Sequence, residues 1–161
     1  MPFDRRNHHR QSIRLRDYDY TLPNLYFVTL CTYARHPLFD EPHARHIAKQ
    51  HWESMPYRFD YITLDAWIVM PDHLHAIVAI QHSAPQDETI SPRAARSLAS
   101  LVAGFKSAVT SRINTVREQR TQVWQRNYWE HIIRDERDLN NTRRYILENP
   151  QRWTIRNMNQ P

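Results

Sequence analysis

Several features that define other protein classes are scarce or absent in this chain of 161 residues. It contains one cysteine, Cys31, so no internal disulfide can form, and the apolar run around Cys31 predicts a buried thiol. No apolar run approaches the roughly 20 residues that a bilayer span requires. The basic start at residues 1–10 also lacks the apolar stretch of a secretory signal, so we expect a cytoplasmic protein.

Lysine is scarce as well. Only Lys49 and Lys106 are lysines among the 22 basic residues, and the rest are arginines, which give a formal net charge of +5. Arginine presents a planar set of donors that matches phosphate and stacks on bases, so this composition favours a nucleic-acid partner. Charge alone leaves a simply solvated positive surface as an equal alternative.

The length fits one domain, and a composition of 40% hydrophobic and 24% charged residues excludes wholesale disorder. We predict a basic arm at residues 1–22, a single domain at residues 23–155 and a short tail at residues 156–161. The arm has five arginines but no sustained helical or strand periodicity.

Hydrophobic periodicity predicts the order strand, helix, strand, strand, helix, strand, helix. Strands are expected at residues 25–33, 57–70, 73–80 and 128–132, with the Pro71-Asp72 turn joining the middle pair into a hairpin. This order predicts an α+β fold, a ferredoxin-like split βαβ arrangement with an antiparallel sheet, helices on one face and an additional C-terminal helix.

The helix ends are predicted from capping residues. Asp40 is expected to cap the first helix, which stops before Pro56, and Ser91-Pro92 to start the second and longest one. Gly104, the only glycine, is expected to allow another backbone to approach the second helix. Asp135 is expected to cap the last helix, which Pro150 should end near Asn149.

His73 and His75 flank Leu74 in the third predicted strand. Because successive strand residues point to opposite faces, both imidazoles should lie on one face. Two converging imidazole nitrogens suit a divalent metal ion. The alternative is that two histidines merely lie on a half-exposed strand.

Tyr145 and Asn149 lie four residues apart on the last helix and therefore share a face. A tyrosine can attack phosphorus to form a covalent phosphotyrosine, and Asn149 could contribute a carbonyl ligand to a metal. The alternatives are that Tyr145 is a core aromatic residue and that Asn149 is a helix terminator.

These segments resemble the REP-associated tyrosine transposases of bacteria, which are single-tyrosine enzymes with a His-hydrophobic-His motif. The resemblance rests on WIVMPDHLHAIV at residues 67–78, RLRDYDY at 14–20, the strand at 26–33 and WQRNYWEHIIR at 124–134, continuing to Asn149-Pro150. The middle helix and the loop before it match by pattern only.

The resemblance implies a nuclease that cuts and rejoins single-stranded DNA at a palindromic hairpin through a 5′-phosphotyrosine. It assigns a magnesium or manganese ion to His73, His75 and Asn149, and the nucleophile to Tyr145. Tyr128 is a second tyrosine near enough to compete for that role. A DNA-processing enzyme of this kind would be associated with the nucleoid, as a monomer or a homodimer.

The candidate DNA contacts are arginines and aromatic residues. We expect phosphate contacts from Arg5, Arg6, Arg10, Arg14, Arg16, Arg126, Arg143 and Arg144. Base stacking is expected from Tyr18, Tyr20, Trp124 and Trp129, although core packing is the simpler role for the tryptophans.

Two other functions remain open at the level of sequence. One is a hairpin-binding protein without catalysis, and the other is a metal-dependent hydrolase that uses water as its nucleophile.

Overall fold

The computed structural model describes residues 24–81 and 96–159. The predicted arm and the predicted helix start at Ser91-Pro92 lie outside these residues. The strands are β1 (Asn24–Cys31), β2 (Ile62–Met70), β3 (His73–Ile80) and β4 (Trp129–Ile133). The helices are α1 (Pro42–Glu53), α2 (Met55–Arg58), α3 (Leu98–Arg117) and α4 (Glu136–Met158). No helix among the described residues is both long and apolar enough to cross a membrane.

The four strands form one antiparallel sheet in the order β2-β3-β1-β4. The predicted split βαβ arrangement is therefore confirmed, with β1 and β3 in the centre. Their central position explains why seven of the eight β3 side chains are buried. The hairpin of β2 and β3 turns at Pro71 and Asp72, as the turn chemistry predicts.

The two faces of the sheet are covered by different helices. One face carries alternate residues of β1 and β3, such as Val28 and Leu74, which belong to the main core together with residues of α1 and α3. The opposite face carries Phe27 and Ile77, which form a smaller cluster with Ile146 of α4. The last helix therefore lies on the face that the other long helices leave open.

The N-terminal ends of two elements differ from the prediction. Asp40 lies in a short 3-10 turn, and the N-cap of α1 is Glu41, with Pro42 in the first turn, where its fixed φ and missing donor cost little. The strand predicted from residue 57 begins at Ile62, because Met55–Arg58 form the short helix α2. Asp135 caps α4 as predicted, with its carboxylate accepting a hydrogen bond from the backbone N–H of Asp138 at 2.8 Å.

The predicted end of the last helix at Asn149 is wrong. Helix α4 continues through Pro150 to Met158 and is the longest helix of the described residues, and it includes residues 156–158, which the sequence assigned to the tail. Proline removes one backbone donor from a helix interior and crowds the preceding turn. Contacts made by the part of α4 that follows Pro150 offset the free-energy cost of the proline. Trp153 contacts the ring of His73, and the two ring centroids are 5.9 Å apart.

Helix α3 begins at Leu98 and not at Ser91-Pro92 as predicted. Its N-cap is Ser97, whose hydroxyl accepts a hydrogen bond from the backbone N–H of Ser100 at 3.1 Å. The predicted close approach at Gly104 occurs, but the neighbour is a side chain rather than a backbone. A Cβ atom at Gly104 would lie 2.9 Å from Cζ of Phe59. Glycine therefore makes room here for an aromatic ring.

Candidate functional site

The two histidines lie side by side on the face of the sheet that α4 covers. The ring centroids of His73 and His75 are 4.4 Å apart, and each residue is about 5% exposed. Leu74 points into the main core on the other face, as strand alternation predicts. The sheet register places Cys31 opposite His73 and Thr29 opposite His75 on β1.

Helix α4 brings Tyr145 and Asn149 to the same place. The ring of Tyr145 packs edge-on against His75 at 5.3 Å and against Phe27 at 6.0 Å between centroids. Tyr145 remains 38% exposed, whereas Asn149, one turn later, is only 6% exposed. All four predicted residues line one pocket of about 740 Å³, so a phenol can meet a substrate beside two imidazoles and an amide.

Hydrogen bonds fix the orientation of both imidazoles. The Nδ1 atom of His73 lies 2.6 Å from a carboxylate oxygen of Asp72, and Nδ1 of His75 lies 2.9 Å from the hydroxyl of Thr29. With both Nδ1 atoms held by the protein, the Nε2 atoms are left to act as ligands. This is the usual arrangement of metal-binding histidines, whose second nitrogen is oriented by a carboxylate or another polar group.

The protonation of His75 also suits a metal ligand, since only a neutral imidazole can bind a cation. Burial, followed by the nearby charges of His73 and Arg35, lowers the pKa of His75 to about 3. The described residues contain no cluster of three or more histidine, cysteine, aspartate or glutamate side chains that could hold a metal. The fit therefore depends on two imidazoles with Asn149 as a neutral oxygen donor, which leaves room for water or phosphate oxygens.

Arg35 and Asp72 support this arrangement, although the sequence indicated Asp72 only as a turn residue and did not indicate Arg35 at all. Nε of Arg35 lies 2.8 Å from Asp72, whose carboxylate also holds His73, and Nη1 lies 2.8 Å from the sulfur of the buried Cys31. Ala34 and Arg35 adopt φ angles of 52° and 56°, a left-handed conformation that non-glycine residues seldom adopt. The strained turn thus places a guanidinium at the edge of the pocket.

Aromatic side chains form the walls of the pocket. Trp129, which is 40% exposed, packs against Phe27 and stacks parallel to His131, which itself pairs with Asp138 at 2.8 Å. Trp124, by contrast, is buried in the main core beside Phe39 and Phe105, which agrees with the simpler of its two predicted roles, core packing, and not with base stacking. Tyr18 and Tyr20 lie outside the described residues.

The predicted DNA-contacting arginines separate into three groups. Those of the arm lie outside the described residues. Arg126 and Arg144 are exposed, whereas Arg143 donates two hydrogen bonds to the carboxylate of Asp65 on β2, at 2.8 and 2.6 Å. The guanidinium of Arg143, which the sequence predicts to bind DNA phosphate, is therefore paired with Asp65.

Other basic residues reach the pocket instead. Arg152 and Arg156 line it, and the guanidinium carbon of Arg152 lies 5.6 Å from the centroid of the Tyr145 ring. Arg152 follows Tyr145 by two helical turns, a spacing that would have identified it had the helix not been expected to end at Pro150. Neither Arg152 nor Arg156 could be assigned to the site from the sequence for this reason.

Tyr128, the competing tyrosine, also borders the pocket. Its ring, however, packs against the main core on the other side of the sheet, with the ammonium of Lys106 at 5.8 Å from its centroid. Among the tyrosines of residues 24–81 and 96–159, Tyr145 is the one whose ring contacts a histidine of the pair.

Two proteins of Haemophilus influenzae are similar to this chain in sequence. An uncharacterized protein of Haemophilus influenzae is 35% identical over 91% of this chain and 91% of the relative. A second protein of that organism, named "Putative REP-associated tyrosine transposase", is 25% identical over 82% of this chain and 73% of the relative. The chain is related to the REP-associated tyrosine transposases.

Solved structures show the same fold. A REP-associated tyrosine transposase bound to a REP hairpin superposes with a TM-score of 0.60 at 23% identity, covering 86% of this chain and 73% of the other. A "putative transposase" from Deinococcus radiodurans superposes with a TM-score of 0.51 at 19% identity, covering 84% and 95%. No family profile matches the chain.

Proposed function

We propose that this protein is a single-stranded DNA transposase that cleaves and rejoins DNA at hairpin sequences, through a tyrosine nucleophile and with the help of Mg²⁺ or Mn²⁺. One observation carries the proposal. A partly exposed phenol, that of Tyr145, lies in one pocket with two oriented imidazoles and a buried amide. A hydrolase that uses water as its nucleophile often has acidic residues that activate the water. A tyrosine nucleophile does not need them, because the attacking oxygen belongs to a side chain.

The reaction begins when the phenol oxygen of Tyr145 bonds to the scissile phosphorus and the bond from phosphorus to the 3′ oxygen breaks. The phenol loses a proton and the departing oxygen gains one, which leaves a 5′-phosphotyrosine and a free 3′-hydroxyl. Rejoining reverses the step, since a 3′-hydroxyl attacks the phosphotyrosine and Tyr145 recovers its proton. The covalent linkage conserves the phosphodiester bond between the two steps.

The side chains around Tyr145 have distinct roles in this proposal. His73, His75 and Asn149 would hold the metal ion, which when bound would supply positive charge to stabilise the phosphoryl oxygens. Asp72 and Thr29 orient the imidazoles. Arg152, which lies over the ring of Tyr145 and pairs with Glu148, and Arg35, which lines the pocket and pairs with Asp72, add positive charge around the proposed phosphate position.

The proposed substrate is a palindromic hairpin with a single-stranded flank, and the related transposase whose structure contains a REP hairpin supports this choice. The arginines of the arm, with Arg126 and Arg144, would contact its backbone. Arg143 is expected to act mainly through Asp65. Such an enzyme would work at the nucleoid, as a monomer or a homodimer.

The decisive experiment incubates the protein with a labelled single-stranded hairpin and Mg²⁺ and separates the products under denaturing conditions. We expect a protein-DNA adduct and a cleaved strand. Tyr145→Phe removes only the attacking oxygen, so it should abolish both products while DNA binding survives. Tyr128→Phe is the matched control and should leave both products in place.

Other outcomes identify other functions. Cleavage without an adduct that persists in Tyr145→Phe would indicate a metal-dependent hydrolase. Hairpin binding without cleavage or adduct would indicate a binding protein. An adduct that persists in Tyr145→Phe and is lost in Tyr128→Phe would move the nucleophile to Tyr128.

A further inference from the structure

A second cleft adjoins the pocket on the side of the edge strand β2. It has a volume of about 370 Å³ and lies between the end of β2, helix α1 and helix α4. We call it the α1–α4 cleft and define it by Arg45, Lys49, Trp67, Met70, Trp153 and Thr154. The proposed function assigns no role to it.

The α1–α4 cleft adjoins the pocket that holds Tyr145. Trp153 lines both, and its ring lies 5.9 Å from that of His73 between centroids. Met70, which lines the cleft, is the cross-strand partner of His73 in the sheet. A chain that extends from the pocket over Trp153 would therefore reach the cleft.

The chemistry of the cleft suits a polyanion that carries flat rings. Its lining includes two cationic side chains, Arg45 and Lys49, and no carboxylate. Arg45 is held by a hydrogen bond from its Nε to the carbonyl of Phe39 at 2.7 Å, and its closest carboxylate, that of Asp40, is 4.0 Å away. Lys49 is exposed and pairs with no carboxylate among residues 24–81 and 96–159.

The lining also includes two half-buried indole rings, those of Trp153 and of Trp67, which packs against the main core. Successive bases of an unpaired strand stack on aromatic side chains while cations contact its backbone. We infer that the α1–α4 cleft binds the single-stranded DNA flank that continues from the scissile phosphate. This inference rests on the proposed function for the identity of the polymer.

An extended peptide of a second copy, paired to the edge strand β2, is the competing occupant. The positive lining, and the position of the cleft beside the pocket with Trp153 lining both, favour DNA over a peptide. The two occupants predict different results in one experiment.

The test measures DNA binding in the Tyr145→Phe background, where no strand is cut. Three probes are used: a bare hairpin duplex, the same hairpin with a single-stranded flank on its 5′ side only, and the same hairpin with a flank on its 3′ side only. Lys49→Glu should weaken binding of one of the two flanked hairpins and leave binding of the bare hairpin unaffected. For that flanked hairpin, the slope of the logarithm of the binding constant against the logarithm of salt concentration should become shallower by about 0.7, the value for one lost phosphate contact. Trp153→Ala should weaken the same probe roughly 5- to 150-fold, the range that stacking of one base supplies.

Arg112→Glu is the control, because it makes the same change of charge on the exposed surface of α3 and lines neither cavity. Equal losses for all probes in Lys49→Glu and Arg112→Glu, or no loss in Lys49→Glu, would overturn the inference. A change in oligomeric state in Lys49→Glu, seen by sedimentation, would assign the cleft to a second copy. If Lys49→Glu weakens binding of a flanked hairpin only, but the unsubstituted protein forms no covalent adduct with DNA, the cleft binds the flank and the proposed role of Tyr145 as the nucleophile is wrong.

Discussion

The carboxylate of Asp72 lies 2.6 Å from Nδ1 of His73, and its other oxygen lies 2.8 Å from Nε of Arg35. Asp72 thus connects a buried imidazole to a guanidinium at the pocket edge, with Asp72 itself only 4% exposed. The turn that closes the hairpin of β2 and β3 places the carboxylate and the imidazole on adjacent residues. The turn residue and the proposed metal ligand are therefore one functional unit.

We expect Asp72→Ala to raise the concentration of Mg²⁺ or Mn²⁺ needed for cleavage about 10- to 100-fold, because partners that orient a ligating histidine contribute this much to metal affinity. Asp72→Asn keeps an acceptor oxygen and should lose less. The measurement is cleavage as a function of metal concentration, with thermal melting to verify the fold. An unchanged metal requirement in Asp72→Ala would remove Asp72 from this role.

The double substitution His73→Ala with His75→Ala should abolish cleavage and preserve most hairpin binding, since arginines supply most of the affinity for phosphate. The readouts are adduct formation and a gel-shift titration. Full activity of the unsubstituted protein in excess chelator would contradict the metal assignment.

Asn149→Ala should reduce cleavage less than Tyr145→Phe does. The site keeps two imidazoles after the loss of one neutral ligand, so added Mn²⁺ should partly restore the rate, whereas no metal replaces a missing nucleophile. Because Asn149 is buried, its melting temperature must be compared with that of the unsubstituted protein. No rescue across a wide range of Mn²⁺ in a folded variant would argue against ligation.

The Arg143–Asp65 pair predicts a dependence of stability on pH. Hydrogen bonds from Arg143 lower the pKa of the Asp65 carboxyl below its ordinary value of 3.8. Folding therefore favours the ionised form of Asp65. Its contribution to the free energy of unfolding is fully present above pH 3.8 and is lost as the pH falls through the lowered pKa. Asp65→Asn should lower the free energy of unfolding at pH 7, and the difference should shrink in acid.

Urea unfolding of both proteins across this pH range gives the measurement. Asp60→Asn is the control, because Asp60 is 73% exposed in its pair with Arg96 and should contribute little. A difference between Asp65→Asn and the unsubstituted protein that stays constant down to the most acidic pH would show that the pair does not couple to protonation.

Removal of residues 1–22 should weaken DNA binding, because this segment contains five arginines in its first 16 residues. Each lost phosphate contact should flatten the logarithmic salt dependence by about 0.7 for a single strand or 0.9 for duplex. Fluorescence anisotropy at several salt concentrations measures the slope. An unchanged slope would place the DNA contacts elsewhere on the chain.

Features that depend on neighbouring residues could be predicted from the sequence. Strand alternation alone places His73 and His75 on one face and Leu74 on the other, and the spacing of Tyr145 and Asn149 places both on one side of a helix. The cap at Asp135 and the turn at Pro71-Asp72 are equally local. The order of strands and helices then restricts the fold to a small number of topologies, which is why the split βαβ prediction is confirmed.

Features that depend on contacts between distant segments needed the tertiary structure. Local propensity ends a helix at Pro150, yet α4 continues because Trp153 packs beside His73, and this extension brings Arg152 over the ring of Tyr145. Asp65 on β2 takes up the guanidinium of Arg143, which the sequence alone shows only as a free cation. The sequence determined which side chains share a face, whereas only packing across the sheet decided which faces meet, because each contact is selected by competition among all segments of the chain.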